Sequence, residues 1–592
     1  MKLRKKLMPA AVTIAVAMTL TTVGCSNAKT ASTATAGAGS GVPGGTLKVL
    51  GQADVDHLDP ALGAMVGTTS IMRAISRQLI SYKTVDDAKE RLVPQGDLAT
   101  SVPTPTDGGL TYTFEIRQGA MWDIPSGPRQ IVAADFARGF KRLCTPVQAS
   151  TMLGYFTDAI VGMQSFCDGF EKVAPTPDAM TAYVEGTPIS GVTAVNDKTL
   201  TIKLTKPAGD FAYMLSLNNA SPAPVEALKY VPDSPEYRSN YFSAGPYRIK
   251  SYTADKSLIL ERNPAWKAEA DPLRKAYVDT IEVTFGLTAD AVAQQLQAGS
   301  ADMSLENSSI PTAVLEQMRA TNDPKLTTIA AGRVDPFLWI NTKTSNNGGA
   351  LQKLEVRQAL EYAVDKAAIV QTFGGTQNAK VQNGIFGPGV IGYHDFDLYP
   401  TSGSKGDPAK TKELLAKAGV TNLTLKLPYR TKGLEPQIAQ TLQASFEKAG
   451  VTIQLVPVNP SDYYSKFLTN HENTANGTWD IAPVGWTPDW QGGAARSVFQ
   501  PQFTYTGTPQ GYNYVDYNND KANALAAQAL ASTSPDEQAK LWAQVDEAVM
   551  ADAVIIPLAS RLDTLYRSAR VQNFTPYALS VQGDWTNVWL KR

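Results

Sequence analysis

The chain has 592 residues, of which 43% are hydrophobic and 18% charged, enough apolar mass for two or three packed lobes and too much for a disordered or fibrous chain. Lys and Arg number 54 against 55 Asp and Glu, a formal charge of -1 with no long run of one sign beyond the first six residues. That balance excludes a partner held by neutralising nucleic-acid phosphates.

The amino terminus reads as an export signal. Lys2, Arg4, Lys5 and Lys6 form a basic cluster, and Ala10 to Val23 is apolar or small and uncharged, so residues 1–24 are predicted to be a secretory signal peptide. The stretch is too short to remain as a span, and no later segment offers about 20 uninterrupted apolar residues. Thr22-Val23-Gly24-Cys25 resembles the bacterial lipobox, with Thr22 where that motif usually has Leu, so Cys25 is the expected lipidation site. Ser26 to Gly45 is small and polar, cannot collapse, and with Cys25 makes a flexible tether over 25–45. Within it Gly39, Gly41 and Gly44 fit a G-x-G-x-x-G spacing, but no strand precedes and no helix follows, so no dinucleotide site is assigned.

The first ordered element is a strand at Thr46 to Leu50, running to a turn at Asp59-Pro60. Thr111 to Arg117 alternates, with Tyr112, Phe114 and Ile116 on one side, and Thr199 to Thr205 does the same; both are half-buried strands. Asp135 to Leu143 carries Phe136, Phe140 and Leu143 at helical spacing. Cys144 and Cys167 form an even pair in an exported chain once Cys25 is set aside, and a disulfide between them is expected, the alternative being two separate buried thiols. Such a bond would close a short loop and add on the order of 3 kcal/mol in the chain-entropy account. Val356, Leu360 and Val364 recur at helical spacing and mark a core face, which leaves Arg357 out of the site.

Further on, Asp407 suits an N-cap, Pro408 the first helical position, Leu414, Leu415 and Ala418 an apolar face, and Gly419 a left-handed stop. A strand at Leu423 to Leu427, a helix from Gln437 to Ala449 closed by Gly450, and a strand from Val451 to Val458 follow with short links. That is a βαβ unit, which implies parallel pairing. The body is therefore α/β in at least two lobes.

Catalytic signatures are absent: there is no H-E-x-x-H, no G-x-S-x-G, no C-x-x-C and no Gly-Lys pair of a phosphate loop. The three histidines, His57, His394 and His471, are far apart in sequence. No catalytic residue, metal or cofactor is assigned, although two of the carboxylates could still meet as a glycosidase pair in a cleft.

Several spaced segments, taken together and in order, resemble one family. They are Gly45-Thr46-Leu47 with Leu58-Asp59-Pro60; Thr111-Tyr112-Thr113-Phe114 with Ile116-Arg117; Ala133-Ala134-Asp135-Phe136 with Phe140-Lys141-Arg142; and Gly245-Pro246-Tyr247. Glu261-Arg262-Asn263-Pro264, Val356-Arg357-Gln358-Ala359-Leu360 with Ala363-Val364-Asp365-Lys366, and Gly485-Trp486-Thr487-Pro488-Asp489 complete the series. The chain resembles the bacterial extracellular solute-binding lipoproteins of peptide-class ABC importers, the dipeptide and oligopeptide receptors.

The resemblance implies an α/β, two-lobed periplasmic-binding-protein-like fold with an extra subdomain in the first lobe and two linkers between the lobes. Lobe one is then expected over 46–332 with the subdomain at about 90–225, lobe two over 333–556, and a return to lobe one over 557–592. The crossings fall near Thr328 to Pro336 and Ile556 to Arg561. In peptide receptors of this class the Asp of the matching segment binds the ligand's amino terminus, which points here to Asp489. Gly485 permits close approach, Trp486 and Trp490 offer apolar walls, and the backbone of Val484 to Thr487 is suited to pairing with an extended ligand.

Arg430, after a strand end, is the candidate cation for the ligand carboxylate, and Leu62 to Ser70 a candidate for lobe-one backbone contacts. Tyr512, Tyr514 and Tyr517 read as the cover of a strand, the alternative being a lining of the cleft. The expected function is that of a monomeric, non-enzymatic receptor, lipid-anchored on the outer face of the cytoplasmic membrane. It would deliver oligopeptides to a permease with cytoplasmic ATPase subunits. Receptors of the same fold for oligosaccharide or chelated nickel, and an exported hydrolase, are the alternatives.

Overall fold

The computed structural model describes residues 41–592 except 88, 306–309, 461, 506–511, 533 and 580–582. The predicted signal peptide, Cys25 and the tether up to residue 40 lie outside the described residues.

The strand Thr46–Leu50 buries Leu47 and Val49 and exposes Lys48, as the alternation in TLKVL requires. It runs parallel to Thr280–Thr284 on one side and to Met303–Ser304 on the other. The hairpin Tyr247–Thr253 and Ser257–Arg262 extends the sheet antiparallel beyond Thr280–Thr284. The helix Val66–Ile75 sends Ile71, Met72 and Ile75 into the core of this sheet, and Trp585, Val588 and Leu590 from the carboxy-terminal end join the same core.

Between these parallel neighbours lies a second body of structure. Thr111–Glu115, Thr199–Lys203 and Val192–Asn196 form an antiparallel sheet, with Tyr112 and Phe114 buried. The helix Ala133–Arg142 packs Phe136 and Phe140 into the adjoining core. A glycine is obligatory at Gly139, because a Cβ there would lie 2.1 Å from the Ser221 carbonyl oxygen. Cys144, just past this helix, is joined by a disulfide to Cys167 on the helix Met163–Phe170, with Cα atoms 5.1 Å apart. The helix Leu153–Ala159 sits between them in sequence.

The second half is built around Val334–Ile340, flanked antiparallel by Ile481–Trp486 and Ile555–Pro557. Thr424–Arg430, Glu435–Lys448 and Thr452–Val458 form the βαβ unit, its two strands parallel in register from Thr424↔Thr452 to Arg430↔Val458. The preceding helix, Pro408–Lys417, starts as its sequence dictates: Asp407 accepts a hydrogen bond from the Lys410 amide, Pro408 is first, and Gly419 sits at φ 69°. Val356, Leu360 and Val364 are buried in the core of this half, and Arg357 is spent on the backbone carbonyl of Asp552.

The two segments where crossings were expected run beside each other. Leu326–Ala330 pairs antiparallel with Ala559–Tyr566, and Val334–Ile340 with Ile555–Pro557. Two ion pairs tie them, Asp335 to Arg561 at 2.9 Å and Arg333 to Asp563 at 3.3 Å.

Candidate functional site

Ile481–Trp486 is an edge strand of its three-stranded sheet, buried through Ile481, Ala482 and Val484. Opposite Gly485 the partner strand carries an extra residue: Val334 faces Trp486 and Phe337 faces Val484, so Asp335 and Pro336 share the space across from one residue. The Asp335 side chain lies over Gly485, where a Cβ would come within 2.7 Å of its Cγ. The close approach that the sequence assigns to Gly485 is thus made by a carboxylate, itself held by Arg561.

Past Pro488 the chain turns and presents Asp489. Its amide donates to Ser497 Oγ at 3.1 Å, and the Trp486 indole donates to the Ser497 carbonyl at 2.8 Å, so one serine at the start of the helix Ala495–Phe503 fixes both residues. Trp490 is buried and donates to the Gly493 carbonyl, while Trp486 stands edge-on to Tyr512. The Asp489 carboxylate accepts a hydrogen bond from the Tyr155 hydroxyl, and the Tyr155 ring meets Trp490 edge-on at 4.9 Å. Burial pushes the Asp489 carboxyl up to about 6, with the Tyr155 hydrogen bond opposing the rise. Among the described residues Asp489 makes no ion pair.

Asp489 lines a cavity of about 180 Å³, with Gly63, Val66, Asn219, Arg333 and Thr487 among its walls. Leu62 to Ser70 therefore does contribute to it. The Asn218 amide holds that segment in place by donating to the carbonyls of Pro60 and Gly63, both at 2.8 Å. Asp56 accepts from the amides of Ala64 and Met65.

Arg430 lies elsewhere. It faces a second cavity of about 670 Å³ that also holds Glu435, Asp335 and Arg561. Its guanidinium donates from Nε to Glu435 at 2.6 Å and lies 4.9 Å from the centre of the Tyr464 ring. Burial raises the Glu435 carboxyl above its ordinary range, and Arg430 pulls the other way. The cation that shares a cavity with Asp489 is Arg333, which lines both cavities and donates from Nε to Thr487 Oγ1 at 3.0 Å.

Of the residues expected at the site, Thr487, Asp489 and Trp490 line the Asp489 cavity and Arg430 the second one, whereas Gly485, covered by Asp335, and Trp486, turned to Ser497 and Tyr512, line neither. Tyr514 and Tyr517 are buried and Tyr512 is exposed against Trp486. The histidines are each paired with a carboxylate, His57 with Asp233, His394 with Glu547 and His471 with Asp516. Among the described residues no group of three His, Cys, Asp or Glu side chains could hold a metal ion, and no helix is long and apolar enough to cross a membrane.

Tyr155, Ser497 and Arg333 were not picked out from the sequence. Tyr155 and Ser497 carry no local motif. Arg333 stands inside the expected crossing Thr328 to Pro336, where it is the one cation and a usable signal.

Residues 93–495 match the family model described as bacterial extracellular solute-binding proteins, family 5 middle. The chain belongs to this family. The periplasmic oligopeptide-binding protein OppA of Salmonella typhimurium is 25% identical over 467 residues, 76% of each chain. The probable D,D-dipeptide-binding periplasmic protein DdpA of Escherichia coli is 22% identical over 536 residues, 90% of this chain and 92% of that one. Among solved structures, the clavulanic acid biosynthesis oligopeptide binding protein 2 superposes with a TM-score of 0.82 at 25% identity, over 93% of this chain and 96% of that one. The fold is the two-lobed α/β architecture of periplasmic binding proteins, and the matched segment includes Asp489.

Proposed function

We propose that this family 5 protein is the peptide receptor of an ABC importer, holding a ligand ammonium at Asp489 and releasing the peptide intact to a permease with cytoplasmic ATPase subunits. The observation that carries the reading is the Asp489 carboxylate. It lines a cavity beside the Trp490 indole, accepts a hydrogen bond from the Tyr155 hydroxyl and makes no ion pair among the described residues. A desolvated carboxylate is costly until a cation arrives, and a charge-assisted hydrogen bond to an ammonium returns roughly 1.5–3 kcal/mol. Relatives named for oligopeptide and dipeptide binding support the same ligand class.

In this reading Trp490 walls the site, Thr487 offers main chain to an extended ligand, and Arg430 serves longer ligands from the adjoining cavity. The lobes are 46–332 with a subdomain at about 90–225, 333–556, and a return over 557–592. Closure is the signal: ligand contacts both lobes better in the closed form, and the permease reads that difference. Cys25 carries the lipid that holds a monomeric receptor on the outer face of the membrane.

The test is native mass spectrometry of the purified full chain, followed by denaturation and identification of what is released. Intact peptides of mixed sequence are expected, and Asp489→Asn should weaken their binding by about 10- to 150-fold. A sugar, a metal chelate or cleaved peptide in their place, or unchanged peptide affinity in D489N, overturns the assignment.

A further inference from the structure

The inserted region meets the rest of the chain through two kinds of buried charge. Toward the first sheet, Asp97 accepts from Arg77 Nε at 2.8 Å and from both Nη atoms of Arg274, at 3.1 and 2.8 Å. All three side chains are shut away from water, and both carboxylate oxygens are hydrogen-bonded, so this contact repays the desolvation of its charges. Toward the second half, Asp210 lies 3.0 Å from Arg496 Nε, again with both side chains buried. Here neither Asp210 oxygen, and neither Nε nor Nη2 of Arg496, finds hydrogen-bond geometry. The remaining Nη1 lies 3.8 Å from Met214 Sδ and 3.9 Å from Asp158. Burial raises the Asp210 carboxyl above its ordinary range while Arg496 pulls it down.

The Asp210–Arg496 pair lies in a seam of close contacts between the inserted region and the second half. The Gly209 amide donates to the Leu530 carbonyl at 2.7 Å. A Cβ on Gly493 would lie 2.7 Å from Tyr213 Cε2, and one on Gly492 2.8 Å from Cε1 of the same ring. Tyr155 reaches Asp489 and Trp490 across this seam. Met152 and Leu217 on one side and Thr487 to Gln491 on the other wall the Asp489 cavity together. A ligand therefore reaches Asp489 as the seam parts, and Asp210 and Arg496 then regain water.

We infer that the Asp210–Arg496 pair is a brake on closure: the closed form desolvates both charges without hydrogen-bonding them, which holds the unliganded protein open and sets its affinity for peptide without touching the peptide. This rests on the peptide-receptor reading for its ligand. Ser497, the residue after Arg496, fixes both Asp489 and Trp486, so one helix carries the brake and supports the site. A receptor whose binding-competent form is only partly populated binds more weakly by that fraction, and an apolar pair of similar volume at the two positions removes the penalty. A single substitution does the reverse, because it leaves one of the two charges buried without its partner.

Small-angle scattering and calorimetry of the full chain, freed of bound peptide by unfolding and refolding, test this with trialanine and pentaalanine as probes. The parent's radius of gyration is expected to fall when peptide is added. The double variant Asp210→Leu/Arg496→Met should show the smaller radius without peptide and bind at least about fivefold more tightly, whereas D210L or R496M alone should bind at least about tenfold more weakly. Should D210L/R496M fail to fold, Asp210→Asn/Arg496→Gln, which removes both charges at nearly constant shape, should move radius and affinity in the same direction as D210L/R496M. A parent already at the smaller radius without peptide, a folded double variant that binds no more tightly than the parent, or single variants that bind as tightly as the parent overturns the inference while leaving the receptor standing. A parent that binds neither peptide overturns the receptor reading. The unliganded radii then still decide the brake, which is upheld if the double variant is more compact than the parent and overturned if the two are equal.

Discussion

The Tyr155 hydroxyl donates to the Asp489 carboxylate, joining two residues 334 positions apart. The contact links the helix Leu153–Ala159 of the inserted region to the turn after Ile481–Trp486, and the Tyr155–Trp490 ring pair lies beside it. Because the acid has a hydroxyl as partner rather than a cation, its proton affinity becomes part of ligand recognition.

The first prediction is a pH dependence of peptide affinity. Burial raises Asp489 from 3.8 to about 6, and only the ionised form pairs with an ammonium. Below that value a proton must leave before the ligand binds; above it none does. Affinity should be greatest near pH 7, fall about tenfold per unit as pH drops well below 6, and begin to fall again near 8 as the ligand's ammonium loses its own proton. D489N should bind weakly and without this slope. Titrations between pH 4.5 and 8 check it, and a parent whose affinity stays constant over that range would rule the mechanism out.

Tyr155→Phe tests the partner. The hydroxyl favours the ionised carboxylate, so its loss leaves burial unopposed and should move the midpoint of the affinity profile upward from about 6. At pH 8 the variant should bind at least as well as at pH 6. A midpoint that moves down, or not at all, would show that the hydroxyl does not hold the carboxylate in solution.

Much of the fold was legible because it is encoded locally. Asp407, Pro408 and Gly419 bracket a helix by capping chemistry that needs no distant partner, and the alternation in TYTFE fixes which side faces the core. The segment from Gly485 to Trp490 was legible for a different reason: its residue types are unusual together, and the resemblance gave Asp489 a role. What stayed hidden is what depends on chain crossings. Tyr155 meets Asp489 through the packing of a region inserted hundreds of residues earlier, and nothing in LGYFTDA marks it. Arg430 follows a strand end as expected, but Glu435, five residues on, draws it into the neighbouring cavity.

A second carboxyl makes stability depend on pH. Glu361 is buried on the helix Leu354–Ala363 with the Lys366 ammonium 3.7 Å away, and burial raises its carboxyl from 4.5 to about 7. A folded-state value above the unfolded one means the native chain holds the proton longer. Stability is then highest below about 4.5, falls as pH rises through 7, and levels off, a loss on the order of 3 kcal/mol for this group. Glu361→Gln should reduce the slope and leave the variant more stable than the parent at pH 8. Asp546, raised further by burial, from 3.8 to about 7, should keep the larger share of the slope, of the same sign, in E361Q. Denaturant midpoints at pH 5 and pH 8 measure both, and a parent more stable at pH 8 than at pH 5 would contradict the sign.

Gly485→Ala probes the bulge that shapes the site. An alanine Cβ would fall 2.7 Å from Asp335 Cγ, closer than real carbon atoms approach, so Asp335 must swing away. Doing so breaks its 2.9 Å pair with Arg561, which bridges the strands Val334–Ile340 and Ala559–Tyr566. Overpacking of this kind costs about 1–3 kcal/mol, whereas the partly exposed ion pair itself contributes little. Asp335→Gly, which removes the Cβ 2.9 Å from the new carbon as well as the Cγ, should therefore be mild, G485A clearly destabilising, and the double variant G485A/D335G close to D335G alone. Denaturant titration of the three variants gives the coupling between the two positions. If the double variant is as destabilised as the sum of the singles, the clash is with something other than the Asp335 side chain.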